Sequence, residues 1–498
     1  MAALLAAAAA LPALRLPFLA DDWINLSTVA RHQFFRTPFG YFRPLYLATY
    51  WLDWTIWGLT PFFFHVTSVI LSALAAGLVV TAIRKYSEDD RLAILSGVLF
   101  ALQPYHFHNV AWIAARGDTL CAVLILGSAI SYHSWRGRPR GGAPWLWLAV
   151  AFFEASLLAK EAGAAFPVVL TMICLASRKQ GERLRGLLPF YAVALMHFLV
   201  LRPWALQELG LSRLGGANLA WVWKLFGFTA SALFPVPIDL LEARPLFWGG
   251  VAAVGGGSLL LLSRDALSKS GALLLLAATC FVLFLAPSLI SFQERYFFLP
   301  SLPAAVALGA LLTPLRPRFR AGALAVLLLV WLPCLAWQWL AWMQAGSASQ
   351  ALVDGLVVAS HRPGVEEIAL TNLPYRVGGP PVVGAFEEAI PLMGGRRVRV
   401  CAATSIDYPR AASEALDGPP GTAVRVTEAS ATVRLRIPTG VFSRLDDPHF
   451  APGTVSASSL CGTVTLLQPG VFSAEVPRAA DGTRAALYWN RGKFVSLF

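Results

Sequence analysis

Charge is what this chain lacks most. Lys, Arg, Asp and Glu make up 14% of its 498 residues, against roughly 25% in soluble globular proteins. So few charges make a poor water-facing shell, which argues against a soluble protein of this length. Cysteine is scarce as well: six residues cannot staple such a chain, so a disulfide scaffold is excluded. No internal repeat marks a solenoid, and no glycine-rich phosphate loop marks a nucleotide site. No compact carboxylate cluster demands a metal. None is expected, although the pattern does not forbid a divalent ion.

What is present is apolar. Hydrophobic residues reach 57% and the mean hydropathy is +0.61. They fall in runs of about 15 to 22 residues between short charged loops, the pattern of a polytopic α-helical membrane protein. The net charge of +12 is unevenly placed: residues 344–498 hold 14 Lys+Arg and 13 Asp+Glu, and the first 343 hold 26 and 15. The cations sit in loops between apolar runs, so the positive-inside rule explains them. Nucleic acid is not an expected partner; the bilayer is.

Five basic loops fit one side, the cytoplasm: those around Arg84/Lys85/Arg91, Arg136/Arg138/Arg140, Arg178/Lys179/Arg183/Arg185, Arg264/Lys269 and Arg316/Arg318/Arg320. Candidate spans at 2–20, 62–83, 92–104, 118–135, 144–159, 162–177, 187–201, 246–263, 271–289, 300–313 and 322–342 then give about eleven crossings, N-terminus inside and C-terminus outside. The stretch 221–240, with Pro235 and Pro237, reads as re-entrant or interfacial. The first run could be a signal peptide ending at Ala20, but it lacks a basic flank, and a retained span is expected. The opposite side owns two long Trp- and Tyr-rich loops, 21–61 and 202–245, suited to an enzyme working at the membrane surface.

The tail changes character. Strand-like runs at Glu367–Thr371, Arg397–Ala402, Ala423–Thr427, Ala431–Ile437, Val455–Leu467 and Ala485–Trp489, separated by Pro and Gly, predict a soluble β-rich or α+β domain over 344–498. A membrane domain over 1–343 precedes it. Cys401 and Cys461 are the tail's cysteines; they either pair in an oxidising compartment or stay as core thiols.

Several short motifs carry chemistry. Asp21-Asp22 follows the first run directly; it is either a solvated loop start or a pair whose desolvation raises one pKa toward that of a general base. Tyr41-Phe42-Arg43-Pro44 and Phe64-His65 follow. The loop Gln103-Pro104-Tyr105-His106-Phe107-His108 leads to Arg116-Gly117-Asp118. Two His one residue apart suit a metal, but with no Cys or third His nearby they read as hydrogen-bonding groups. Lys160-Glu161 interrupts an apolar stretch, where ionised groups are costly without a partner or cavity; it is either a structural ion pair at a helix hairpin or a pair that faces a cavity. Arg295, in Gln293-Glu294-Arg295-Tyr296, is either a snorkelling anchor or a phosphate ligand, since its planar fork donates two parallel hydrogen bonds.

Taken in order, Asp21-Asp22, the Tyr/Arg/Pro stretch at 41–46, Phe64-His65, the loop from Pro104 through Arg116, and Lys160-Glu161 resemble the GT-C membrane glycosyltransferases. Within them they resemble the TMTC and PMT-like O-mannosyltransferases that use polyprenyl-phosphate sugars, and their bacterial relatives. The resemblance covers roughly residues 18–175, with a weaker echo at 293–301. It implies an inverting transfer of mannose or another hexose from a polyprenyl-phosphate sugar to an acceptor hydroxyl, with Asp21 as base and Asp22 as its partner. Arg295, Lys160, Arg43 and Arg116 would bind the donor phosphate; Glu161, His106, His108 and Asp118 would contact substrate. No cofactor is implied. The β-rich tail stands where that family carries TPR repeats, so its acceptor, protein or glycan, does not carry over. The implied location is a bacterial inner membrane with the tail in the periplasm or outside. The competing class is a non-enzymatic polytopic protein, a lipid or solute transporter or an assembly factor. Inverted repeats would favour a transporter, and the sequence has none.

Overall fold

The computed structural model describes residues 1–35, 41–138, 142–176, 184–206, 235, 264–286, 294–371, 373–377, 380–382, 385–402, 405–408, 423–436, 441–442, 456–458, 461–468, 471–490 and 493–498. The span expected at 246–263, all of the segment 221–240 but residue 235, and most of the loop 202–245 lie outside them. The chain forms two compact units: Met1–Leu14 with Thr28–Trp339, and Arg15–Ser27 with Leu340–Phe498. It therefore enters the second unit twice, which a linear division at residue 343 does not foresee.

The first unit is helical. Among the described residues, four helices are long and apolar enough to cross a membrane: Pro61–Ser87, Ile113–Arg136, Arg185–Ala205 and Pro317–Ser360. Five shorter apolar helices accompany them: Ala2–Arg15, Ala143–Ala159, Glu161–Ala176, Ser270–Leu285 and Ser301–Leu312. The boundaries follow local chemistry. Pro61 stands in the first turn of its helix, where its missing N–H costs nothing. Asp89 caps the helix Asp90–Ala101 by accepting from the N–H groups of Arg91 and Leu92. That helix stops before Gln103-Pro104, because a residue preceding proline avoids helical geometry. The first apolar run, expected as one span to residue 20, is instead a helix Ala2–Ala10 and a 3-10 turn Leu11–Arg15. Pro12 and Pro17 stop it from continuing.

Small residues set the closest helix contacts. A Cβ on Gly97 would lie 2.2 Å from a Val80 methyl and 3.3 Å from the Ala2 Cβ. The core of this unit gathers Phe100, Phe153, Phe166, Phe190 and Phe298 with many alanines.

In the second unit the helix Pro317–Ser360 continues past residue 340. Its 44 residues would extend about 66 Å, twice the roughly 30 Å of a hydrocarbon core. Three sheets follow. A four-stranded sheet runs Lys493–Ser496, Arg484–Asn490, Glu367–Leu370, Arg399–Ala402 in spatial order. Its central strand Glu367–Leu370 is parallel to both neighbours. A five-stranded antiparallel sheet contains Ala423–Val426, Ser430–Arg436, Val471–Pro477, Thr463–Gln468 and Ser456–Ser458. A small third sheet joins Leu373–Val377, Ser405–Tyr408 and Val441–Phe442. The run Val455–Leu467, read as one strand, is two: Ser456–Ser458 pairs back on Thr463–Gln468. Gly462 lies tight against the strand Val471–Pro477, since a Cβ there would meet the Glu475 carbonyl at 2.0 Å. Cys401 and Cys461 are joined by a disulfide, with Cα atoms 5.8 Å apart.

Candidate functional site

A break between two apolar helices sets the first charged pair. The helix Ala143–Ala159 stops because Lys160 is extended (φ −163°, ψ 135°), and a 3-10 turn, Glu161–Ala165, follows. Extended geometry sends successive side chains apart, so Lys160 and Glu161 take different partners. Lys160 Nζ donates to Asp118 Oδ2 at 2.5 Å. Glu161 receives both prongs of Arg43, Nε at 2.8 Å and Nη2 at 2.5 Å. Gly163 lets the turn close, since a Cβ there would stand 2.7 Å from Ser156 Oγ. Burial works against the charge of Arg43, but the adjoining Glu161 carboxylate outweighs it, and the guanidinium pKa is raised.

Arg295 rises from a one-turn 3-10 segment, Glu294–Phe297. Its guanidinium carbon lies 4.3 Å from the Trp112 ring centre and 5.0 Å from that of Tyr296. Nη2 donates to the Tyr296 hydroxyl at 3.2 Å, and Nε is buried with no hydrogen-bond partner among the described residues. The Lys160 ammonium lies 4.7 Å from the same Tyr296 ring. Tyr296 thus stands between two cations. Arg43 is matched by Glu161 and Lys160 by Asp118; among the described residues Arg295 forms no ion pair. The group carries one positive charge in excess, and it is on Arg295.

His106 and His108 turn toward protein groups. His106 Nε2 is 2.7 Å from Ser301 Oγ, and its ring is packed between Phe100 and Phe298, at 4.4 and 4.3 Å. Burial pushes its pKa down to about 3, so it is neutral at physiological pH and offers phosphate no charge. His108 Nε2 contacts the Glu294 carboxylate and lies 2.8 Å from Gln338 Oε1. His65 Nδ1 lies 2.9 Å from the Val110 carbonyl.

Arg116 is fully enclosed. It donates to Asp53 Oδ2 at 2.6 Å, Thr49 Oγ1 at 3.3 Å, Ser68 Oγ at 3.1 Å and the Phe64 carbonyl at 2.5 Å. The structure thus brings together Arg43, Glu161, Lys160, Asp118 and Arg295, while Arg116, two residues before Asp118 on the helix Arg116–Arg136, clasps three helices.

Asp21 and Asp22 lie in the second unit, on the helix Asp21–Ala30. The pair opens that helix, where a loop start was one of the two expectations. Asp22 is wholly buried and accepts from the Leu19 N–H at 2.9 Å; Asp21 is half-buried. The preceding Ala20 has φ 42°, a strained region for any residue but glycine and one often found at functional sites. Residues 16–18 rest on the 340–360 helix of the same unit: a Cβ on Gly346 would lie 2.9 Å from Pro17 Cδ, and Ser349 Oγ donates to the Phe18 carbonyl at 3.3 Å.

Sequence reasoning passed over Asp53, Trp112, Tyr296, Glu294 and Gln338. Glu294 and Tyr296 flank Arg295 in the chain, the signal that was available; Gln338 sits in an apolar run with no local cue. Among the described residues no three His, Cys, Asp or Glu converge to hold a metal ion.

No protein-family model matches the chain. It is 31% identical to the human protein O-mannosyl-transferase TMTC1 over 158 residues, 30% of this chain and 18% of that protein. It is 30% identical to Drosophila melanogaster Tmtc1 over 142 residues, 27% of this chain and 16% of that protein. The chain thus spans less than a fifth of the length of these curated relatives. Among solved structures, the apo form of ArnT from Cupriavidus metallidurans aligns with a TM-score of 0.48 at 14% identity, covering 85% of this chain and 95% of that one. In sequence, this chain resembles the TMTC protein O-mannosyl-transferases.

Proposed function

We propose that the protein is a multi-pass membrane glycosyltransferase that moves a hexose, mannose or another, from a polyprenyl-phosphate sugar to an acceptor hydroxyl outside the cytoplasm. The observation that carries this reading is Arg295: a cation without an ion pair among the described residues, held on Trp112 and Tyr296 beside Lys160. A guanidinium fixed in that way suits a phosphate, which accepts two parallel hydrogen bonds. Similarity to protein O-mannosyl-transferases supports the same chemistry.

In the proposed step Asp21 accepts the proton of the acceptor hydroxyl as its oxygen attacks the anomeric carbon. The bond from that carbon to the phosphate oxygen breaks, the polyprenyl phosphate leaves with the electron pair, and the configuration inverts. Arg295 and Lys160 stabilise the negative charge that grows on the leaving phosphate. Asp22, fixed by the Leu19 N–H, orients the segment that carries Asp21. Arg43 and Arg116 act behind this, as the Glu161 holder and the helix clasp. About eleven crossings, with the tail outside a bacterial inner membrane, complete the reading.

The test is incubation of purified protein with a polyprenyl-phosphate mannose and an acceptor peptide or glycan, following release of polyprenyl phosphate. Arg295→Gln should lose polyprenyl phosphate binding and turnover at unchanged expression, and Arg295→Lys should recover only part, as a point charge cannot make the two-pronged contact. Wild-type turnover by Arg295→Gln would reduce Arg295 to an interface anchor.

A further inference from the structure

The turn that carries Arg295, Glu294–Phe297, is too short to hold its own geometry. Two other elements grip it. From the helix His106–Ala111, His108 contacts the Glu294 carboxylate, and Asn109 Nδ2 donates to the carbonyl of Arg295 itself at 3.1 Å. From the helix Pro317–Ser360, Gln338 Nε2 lies 3.4 Å from both Glu294 oxygens, and its Oε1 faces His108 Nε2 at 2.8 Å. The three groups around His108 are enclosed: Glu294 is 8% exposed, Gln338 2% and Asn109 0%. A buried carboxylate is costly, and replacing such polar groups with apolar ones of equal volume is often neutral or stabilising. Packing alone therefore gives no reason for this trio beside the cation.

We propose that His108, Glu294, Gln338 and Asn109 form a latch that positions the Arg295 guanidinium for the donor phosphate. They act through Arg295 and touch no substrate, so His108 moves from substrate contact to positioning residue. The inference rests on the reading that Arg295 binds phosphate. Two-pronged contact demands that the guanidinium plane be aimed, and a displacement of about 1 Å at such a group costs on the order of a hundredfold. The His–Glu–Gln contacts fix the residue before Arg295, and Asn109 fixes its own carbonyl. Trp112 then limits where the side chain can swing.

The experiment uses the full-length protein in detergent with His108→Leu, Asn109→Leu, the conservative His108→Gln, and Arg295→Gln. Two quantities are read: amide hydrogen exchange across 294–299, and binding of polyprenyl phosphate without a sugar. His108→Leu and Asn109→Leu should speed exchange at 294–299, with the helix Arg116–Arg136 unchanged, and should weaken binding about tenfold. His108→Gln keeps an N–H for Glu294 and should restore most of the binding. Unchanged exchange at 294–299 overturns the latch. Faster exchange with wild-type binding overturns its link to phosphate, provided Arg295→Gln binds weakly. Wild-type binding by Arg295→Gln sinks the phosphate reading and the latch together, so the two failures are told apart.

Discussion

Asp22 has no exposed surface and caps the Leu19 N–H, whereas its neighbour Asp21 is half-buried. Neighbours on a helix point about 100° apart, so one carboxylate can serve structure while the other serves chemistry. Asp21→Asn should therefore lower turnover by about 10²–10⁴-fold with donor binding intact. Asp22→Asn should act through loss of folded protein, read by thermal unfolding. If Asp22→Asn abolished turnover in well-folded protein and Asp21→Asn did not, the roles would be exchanged. His106 gives a second residue-scale test. Buried between two phenyl rings, it stays neutral in the folded protein down to about pH 3, while in the unfolded chain it takes a proton near its ordinary value of about 6.5. Between those values the unfolded state binds more protons, so stability must fall as pH drops through that window. His106→Gln should flatten the acid side of a melting-temperature profile; an unchanged profile would show that His106 is already protonated in the fold. The motif order made Arg43, Lys160, Glu161 and Arg295 legible. Their pairing was not, because which acid meets which base depends on the extended Lys160, a backbone feature without a sequence signature.

At the scale of elements, the apolar runs were the most readable, since a stretch without breakers has to wind into helix. Their ends were readable where proline or an acidic cap marks them, as at Pro61 and Asp89. Strand Ser430–Arg436 could be read because apolar and polar residues alternate along it. The strand Val471–Pro477 was missed because it ends in proline and follows Pro-Gly, a turn signal. One enclosed ion pair, Arg116 with Asp53, joins the helices Pro44–Trp57 and Arg116–Arg136, and hydrogen bonds from Arg116 to Ser68 and the Phe64 carbonyl add Pro61–Ser87. Breaking one partner leaves a buried charge. Asp53→Ala should cost about 3–5 kcal/mol, measured as lost thermal stability in detergent. The double variant Asp53→Leu with Arg116→Met should cost less; an equal or larger loss would show that the hydrogen bonds of Arg116 outweigh the charge. Gly346 is the corresponding tight point under the acidic segment. Gly346→Val must push on Pro17, a rigid ring 2.9 Å from the new Cβ, and should depress turnover without altering polyprenyl phosphate binding.

At the scale of the whole molecule, the proposed topology places the loop at 316–320 inside and the tail outside, and single-cysteine labelling at those positions checks it directly. The second unit holds its own cross-link. The bond Cys401–Cys461 closes a separation of 60 residues, for which chain entropy gives about 4 kcal/mol. Replacing both cysteines by serine should lower the unfolding temperature of the tail in oxidising buffer and leave it unchanged in reductant. A different consequence follows from the four-stranded sheet. Glu367 receives the Arg484 guanidinium across a separation of 117 residues, and the strand that starts the tail's sheet lies between two that come later. While the chain is being synthesised, Glu367–Leu370 can acquire one flank when Arg399–Ala402 emerges, but its other edge stays bare until Arg484–Asn490 has been made. An open parallel edge attracts other strands. The tail must spend nearly its whole synthesis as an unfinished sheet, and a premature stop just before residue 484 would yield an inserted membrane unit trailing a segment fit for aggregation and proteolysis.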